Sequence, residues 1–209
     1  MKLYDFALAP NPKRVRVFLA EKGISLPTVQ VNLRELEQFE DSFQQVSTFG
    51  TVPVLVLDDG TTIGESVAIC RYFERLHPEP ALMGTDAKDM AIVEMWNRRA
   101  EIQCFSACGE AVRNSAPMFA GRALAGERGV DQIPALIDRG RATARRFMAR
   151  IDTQLADNPF LAGANFTIAD ITAFIAIEFG ARAEISIPDG CANVARWFDS
   201  VASRASASA

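Results

Sequence analysis

Short alternating runs crowd the first third of the chain, and longer apolar stripes at helical spacing fill the rest. Lys2-Leu-Tyr-Asp-Phe6 alternates and carries aromatics, which predicts a strand, and Pro10-Asn11-Pro12 breaks it. From Lys13 a helical pattern begins, with Val15, Phe18 and Leu19 on one face and Gly23 as its C-terminal stop. Thr28 to Val31 predicts a second strand. Leu36, Phe39, Phe43 and Val46 fit a helix stripe that Phe49-Gly50 ends. Val54–Leu57 and Thr61–Ile63 flank Asp58-Asp59-Gly60, a hairpin signal. Glu65 to Leu76 returns to helix, with Ile69, Tyr72, Phe73 and Leu76 on one face.

The order is βαβαββα and it ends near residue 77. Pro78-Glu79-Pro80 cannot continue a helix and opens a stiff linker, residues 78–86. Everything after it is helical in pattern. Val93, Trp96, Ala100 and Cys104 mark one long helix, and Pro117 and Gly121 interrupt. Ile133, Leu136, Gly140, Ala144, Phe147, Ile151 and Leu155 mark another. Ile168 to Phe179 is apolar nearly all round and reads as a buried helix, and Val194, Trp197, Phe198 and Val201 close the array. The expected fold class is α+β: a small α/β domain over 1–77, then an all-helical domain over 87–209. The tail Ala202–Ala209 has little apolar content and is expected to fray.

Composition narrows the function. Of 209 residues 49% are hydrophobic and 23% charged, ordinary for a folded domain. A net charge of −4 argues against nucleic acid, whose phosphates require a basic face. Met1–Phe6 is too short for a signal sequence, and no apolar run approaches a membrane span. Cys70, Cys104, Cys108 and Cys191 form no CxxC pair, and with one histidine no zinc-ligand spacing exists. They read as buried, reduced thiols of a cytoplasmic protein that uses no metal.

Three motifs carry more. In Thr51-Val52-Pro53-Val54 the proline opens an apolar strand. A trans bond would make it a plain strand start, whereas a cis bond would expose the Val52 backbone to an extended peptide. Glu65-Ser66 opens a helix, as a cap or as an anion site with a carboxylate beside it for an ammonium. A ligand bearing both charges on one carbon, an α-amino acid, fits that pair. Phe166-Thr167-Ile168-Ala169-Asp170-Ile171 combines a capping box with a hydrophobic staple, a folding signal without chemistry.

Together with Pro10-Asn11-Pro12-Lys13-Arg14-Val15 at the first turn, these motifs resemble the glutathione transferase superfamily over essentially the whole chain. The resemblance implies a thioredoxin-like N-terminal half, glutathione as co-substrate and a homodimer. It places the γ-glutamyl end on Glu65 and Ser66, the cysteinyl backbone on Val52 before Pro53, and the glycyl end near Gln38. It places the electrophile against Ala9, Phe105, Cys108 and Met118. The departure lies at the thiol. Family members commonly carry Tyr, Ser or Cys there, whereas this first turn offers Ala7, Leu8, Ala9 and Asn11. The Asn11 amide is the remaining donor, and members with asparagine in this region occur. A thiol with a pKa of about 8.5 must drop by roughly one to two pH units, about 1.4–2.7 kcal/mol, to ionise at neutral pH. One hydrogen bond to a charged acceptor, about 1.5–3 kcal/mol, together with a helix N-terminus can supply that. The implied activity is conjugation of glutathione to a small, mostly hydrophobic electrophile. The alternatives are a glutathione-dependent disulfide reductase and a non-catalytic scaffold, the last disfavoured by Glu65, Ser66 and Pro53.

Overall fold

The computed structural model describes residues 1–209. Four strands, β1 (Lys2–Asp5), β2 (Thr28–Gln30), β3 (Val54–Val56) and β4 (Thr62–Ile63), form one mixed sheet in the order β2-β1-β3-β4. β1 and β2 are parallel, with Leu3 opposite Thr28, so a crossover must join them, and α1 (Pro10–Glu21) supplies it. β1 and β3 are antiparallel with Leu3 opposite Leu55, and β3 turns back into β4. Alternation then sorts the side chains. Leu3 and Leu55 are fully buried in the core they share with α1 and α3 (Ser66–Leu76), while Tyr4 and Val54 join Phe43, Val31 and Val52 in a separate cluster.

Strand ends differ from the pattern-based expectation by one residue, and two helices differ by more. α1 starts at Pro10 instead of Lys13, with Ala9 as N-cap, because proline is pre-organised for the first helical position. The predicted helix over Leu36–Val46 is broken into a 3₁₀ turn, Glu37–Phe39, and a single turn α2 (Asp41–Gln44). Leu36 has φ +66° and Glu40 is extended, so no continuous ladder forms.

In the second half, α4 (Ala87–Ala100) and α5 (Ser106–Ser115) continue one another through a π-helical turn, Glu101–Phe105. α6 (Pro134–Asp157), α7 (Ile168–Gly180) and α8 (Ala192–Ala202) follow. α5 and α6 cross closely because Gly140 has no side chain; a Cβ there would lie 2.4 Å from the Ala107 carbonyl oxygen. α7 is buried on all sides except at Glu178 and Phe179, and packs against α1, α4 and α5. One hydrophobic core therefore runs from Leu3 and Val15 through Phe174 to Trp197, and both halves share it. No helix is long and apolar enough to cross a membrane.

The capping box of α7 forms. The Asp170 carboxylate accepts from the Thr167 N–H (3.0 Å) and hydroxyl (3.1 Å), the Leu161 N–H (2.9 Å) and the Trp197 indole (2.9 Å). The tail is not frayed. Ala205–Ser208 forms a 3₁₀ turn in which Ser206 and Ala207 are buried. Polar contacts hold it where apolar content is missing: Arg204 grips Glu21 with two bonds (2.8 and 2.7 Å) and lies 4.0 Å from the Phe166 ring centre.

Candidate functional site

A cleft of about 420 Å³ lies between the sheet domain and the helices. Phe6, Leu8, Ala9, Pro10 and Asn11 line it from the end of β1 and the start of α1, and Gln38, Gly50, Thr51 and Val52 from the loops beyond. From the helices come Phe105, Ser106, Gly109 and Arg113 of one face, then Phe179 and Arg182 at the end of α7. The loop after α5 covers the cleft, bringing Met118, Phe119, Arg122 and Gly126. Gly126 has φ +77°, and a Cβ on it would sit 2.1 Å from the Phe49 carbonyl oxygen, so only glycine allows the loop to seat this close.

Asn11 is exposed on the cleft at the second position of α1. Its neighbours Pro10 and Pro12 carry no N–H, and the Lys13 N–H is bonded to the Ala9 carbonyl (3.2 Å). The Asn11 N–H is thus the unpartnered donor of that helix end. Its side-chain Oδ1 accepts from the Ser66 hydroxyl at 3.3 Å, and Ser66 Oγ in turn accepts from Arg14 Nη1 at 3.2 Å. Arg14 Nη1 also reaches Glu101 Oε1 at 3.2 Å, and its guanidinium stacks 4.4 Å from the Phe105 ring centre. Arg14 is entirely buried, and its Nε and Nη2 have no partner. Burial lowers its pKa even though Glu101 opposes the shift. A buried cation at the base of this chain of donors turns the Asn11 oxygen inward and leaves its amide N–H₂ free.

Val52–Pro53 is cis. Val52 lines the cleft, and its N–H and C=O enter no backbone hydrogen bond. Glu65, exposed and at φ +60°, precedes α3 without capping it. Ile69 is the first residue of α3 whose N–H is bonded back, to the Glu65 carbonyl (3.0 Å), so the N–H groups of Ser66, Val67 and Ala68 stand ahead of the ladder. Gln38 is buried, lines the cleft and has an unpartnered Oε1. Glu65 and Ser66 do not line the cleft itself; they adjoin it through Asn11.

Of the four residues expected along an electrophile pocket, Ala9, Phe105 and Met118 line the cleft. Cys108 does not. It is fully buried, and a Cβ on Gly180 would meet its sulfur at 2.8 Å, because helical spacing turns it to the core side of α5. All four cysteines are free and buried. Burial pushes the Cys70 thiol up to about 12, and the hydrogen bond with neighbouring Cys108, followed by burial, pushes Cys104 well above its ordinary value.

A family model described as the N-terminal domain of glutathione S-transferase matches residues 9–76, and one described as its C-terminal domain matches residues 115–205. Glutathione S-transferase 2 of Saccharomyces cerevisiae is 33% identical over 99% of this chain and 87% of its own length. The chain belongs to the glutathione S-transferase family. Solved structures agree with this glutathione transferase in fold. A glutathione S-transferase domain-containing protein of Marinobacter aquaeolei superposes with a TM-score of 0.91 at 35% identity, over 99% of both chains. Gtt2 of Saccharomyces cerevisiae superposes with 0.90 at 32%, over 99% of this chain and 98% of its own.

Pattern reading of the transferase missed Arg14, Glu101, Ser106 and Arg182. Arg14 had a signal: it lies four residues before Phe18, on the buried stripe of α1, where a charge needs a reason. Ser106 and Arg182 had none, since only packing brings the start of α5 and the turn after α7 to the first turn.

Proposed function

We propose that this glutathione transferase binds glutathione along the sheet-domain side of the cleft and attacks a small electrophile seated against the helices. The γ-glutamyl carboxylate goes to the N–H groups that open α3, where free donors and the helix dipole favour an anion. Its ammonium meets Glu65. The Ser66 hydroxyl is already turned inward to Asn11, so the Ser66 backbone is the contact it offers. The cysteinyl backbone pairs with Val52, whose N–H and C=O are free, and the glycyl end lies toward Gln38. The thiolate then rests beside the Asn11 amide and the Asn11 N–H.

The observation that carries this reading is the free amide of Asn11, fixed by Ser66 at the mouth of the cleft. Two donors to a developing thiolate supply the roughly 1.4–2.7 kcal/mol that ionisation at neutral pH needs. In a displacement the sulfur provides the electron pair of the new C–S bond, and the leaving group departs with its own pair. We place the enzyme in the cytoplasm, where reduced glutathione and free thiols coexist. We also infer a homodimer, as the family resemblance implies, with Phe49, 81% exposed, as an aromatic anchor available to a partner.

Calorimetry with glutathione tests the reading, with a heat of binding and a raised melting temperature expected at about 10 mM ligand. Neither signal at that concentration would remove it.

A further inference from the structure

Charge around the cleft is arranged against the composition of the chain. Arg34, Arg113, Arg122 and Arg182 line it, facing one carboxylate, Glu127, in a protein of net charge −4. None of the four has a carboxylate oxygen within 4.0 Å; the ion pairs of the chain all lie elsewhere. Three of them bond backbone carbonyls, which holds their guanidinium groups in place but leaves the charge uncompensated. Arg113 donates to the carbonyls of Ala123 (3.0 Å) and Leu124 (2.7 Å), Arg122 to Met118 (2.5 Å) and Arg182 to Leu8 (3.2 Å). Burial, and then the neighbouring Arg122, pulls Arg113 down to about 10, which still leaves it a cation at neutral pH.

Glutathione accounts for part of this. Its glycyl carboxylate lies on the Gln38 side, where Arg34 stands, and its γ-glutamyl end is remote. Arg113, Arg122 and Arg182 belong to the helical half. Arg122 also reaches the Leu33 carbonyl (3.5 Å) beside Arg34, whereas Arg182 stands at the first turn, on the side left for the second substrate. There Phe105 and Phe179 stack with ring centres 6.4 Å apart, and Arg182 lies 5.4 Å from the Phe179 centre. Arg182 also touches the first turn through Leu8, close to where the sulfur would sit.

We propose that the electrophile is an anion: an aromatic or apolar body against Phe105 and Phe179, with a carboxylate received by Arg182. Arg113 and Arg122 add to the attracting field of the cleft. The inference rests on the glutathione reading above and specifies its second substrate. Displacement needs no further reactant, since the thiolate and the leaving group balance the electrons.

Two matched pairs test it. Calorimetry compares S-(4-carboxybenzyl)glutathione with its carboxamide, and steady-state kinetics compares 4-chloro-3,5-dinitrobenzoate with its methyl ester. The carboxylate is expected to bind about tenfold more tightly than the carboxamide. The acid-to-ester ratio of kcat/KM, divided by the same ratio for the uncatalysed reaction with glutathione because the ester is intrinsically the more reactive, should be of similar size, and both preferences should shrink as salt rises. Arg182→Gln should bring both ratios close to one, and Arg182→Lys should restore part of them. Each ratio is read within one protein, so a general loss of affinity or folding cancels. Ratios near one in the unaltered enzyme, with both conjugates bound, would overturn the anionic substrate while leaving the transferase reading intact. A full preference surviving in Arg182→Gln would overturn the assignment to Arg182. Failure of both conjugates to bind would overturn the glutathione site itself.

Discussion

The Ser66 hydroxyl donates to Asn11 Oδ1 at 3.3 Å and so ties the start of α3 to the start of α1. The two residues are 55 positions apart, and both helix ends open toward the proposed glutathione site. Ser66 is buried and Asn11 exposed, so the buried partner orients the exposed one.

Asn11→Ala removes the amide and keeps the backbone N–H at the same helix position. The pKa of bound glutathione is expected to rise by about one pH unit, the share of one charge-assisted hydrogen bond. Ultraviolet absorbance of the thiolate measures it, and neutral-pH turnover of a generic electrophile should fall about tenfold. An unchanged pKa would leave activation to the Asn11 N–H and the helix end.

Glu65→Ala should weaken glutathione binding by roughly 10- to 150-fold, the loss of one charge-assisted contact. Stability should barely move, because Glu65 is exposed and makes no capping bond. Calorimetry and a thermal melt on the same sample separate the two effects. Full affinity in the variant would deny Glu65 the ammonium.

Burial pushes the Asp170 carboxyl up to about 6, against four donors that favour its charged form. A folded pKa above the unfolded value of about 3.9 adds stability below that value, and the gain is lost as pH rises through 6. The difference amounts to about 2–3 kcal/mol between pH 4 and pH 7. Melting curves across this range should show the decline in the parent and a flatter profile in Asp170→Asn. Parallel profiles would place the titration elsewhere.

Arg204→Ala should release the tail. Burial raises the Glu21 pKa, but Arg204 and Ser206 outweigh it and hold the carboxylate below its ordinary value. That stability is present at neutral pH and is lost as pH falls through the acid range. With Arg204 about a third exposed, a cost of about 1–2 kcal/mol is expected at pH 7. Faster hydrogen exchange at Ala205–Ser208 would accompany it, and protection equal to the parent would contradict the assignment.

Local pattern determined much of this protein. Alternation at Lys2–Phe6, the Asp59-Gly60 turn, the stripe from Ile69 to Phe73 and the capping box at Thr167 each set an element within a few residues, because their causes are local. The residues proposed for glutathione were legible for the same reason, as short motifs at the starts of helices and strands. Only the tertiary structure decided the rest. The tail packs through Arg204 on Glu21, 183 positions away, and no local window contains both. Arg14 lies beneath Asn11 because α1 meets α3 and the π-turn of Glu101, and Cys108 leaves the cleft because the face of α5 that holds it is taken by α7. Arg182 reaches Leu8 across 174 positions, so the charge of the cleft is a property of packing: a guanidinium's partners are set by which distant backbones arrive beside it.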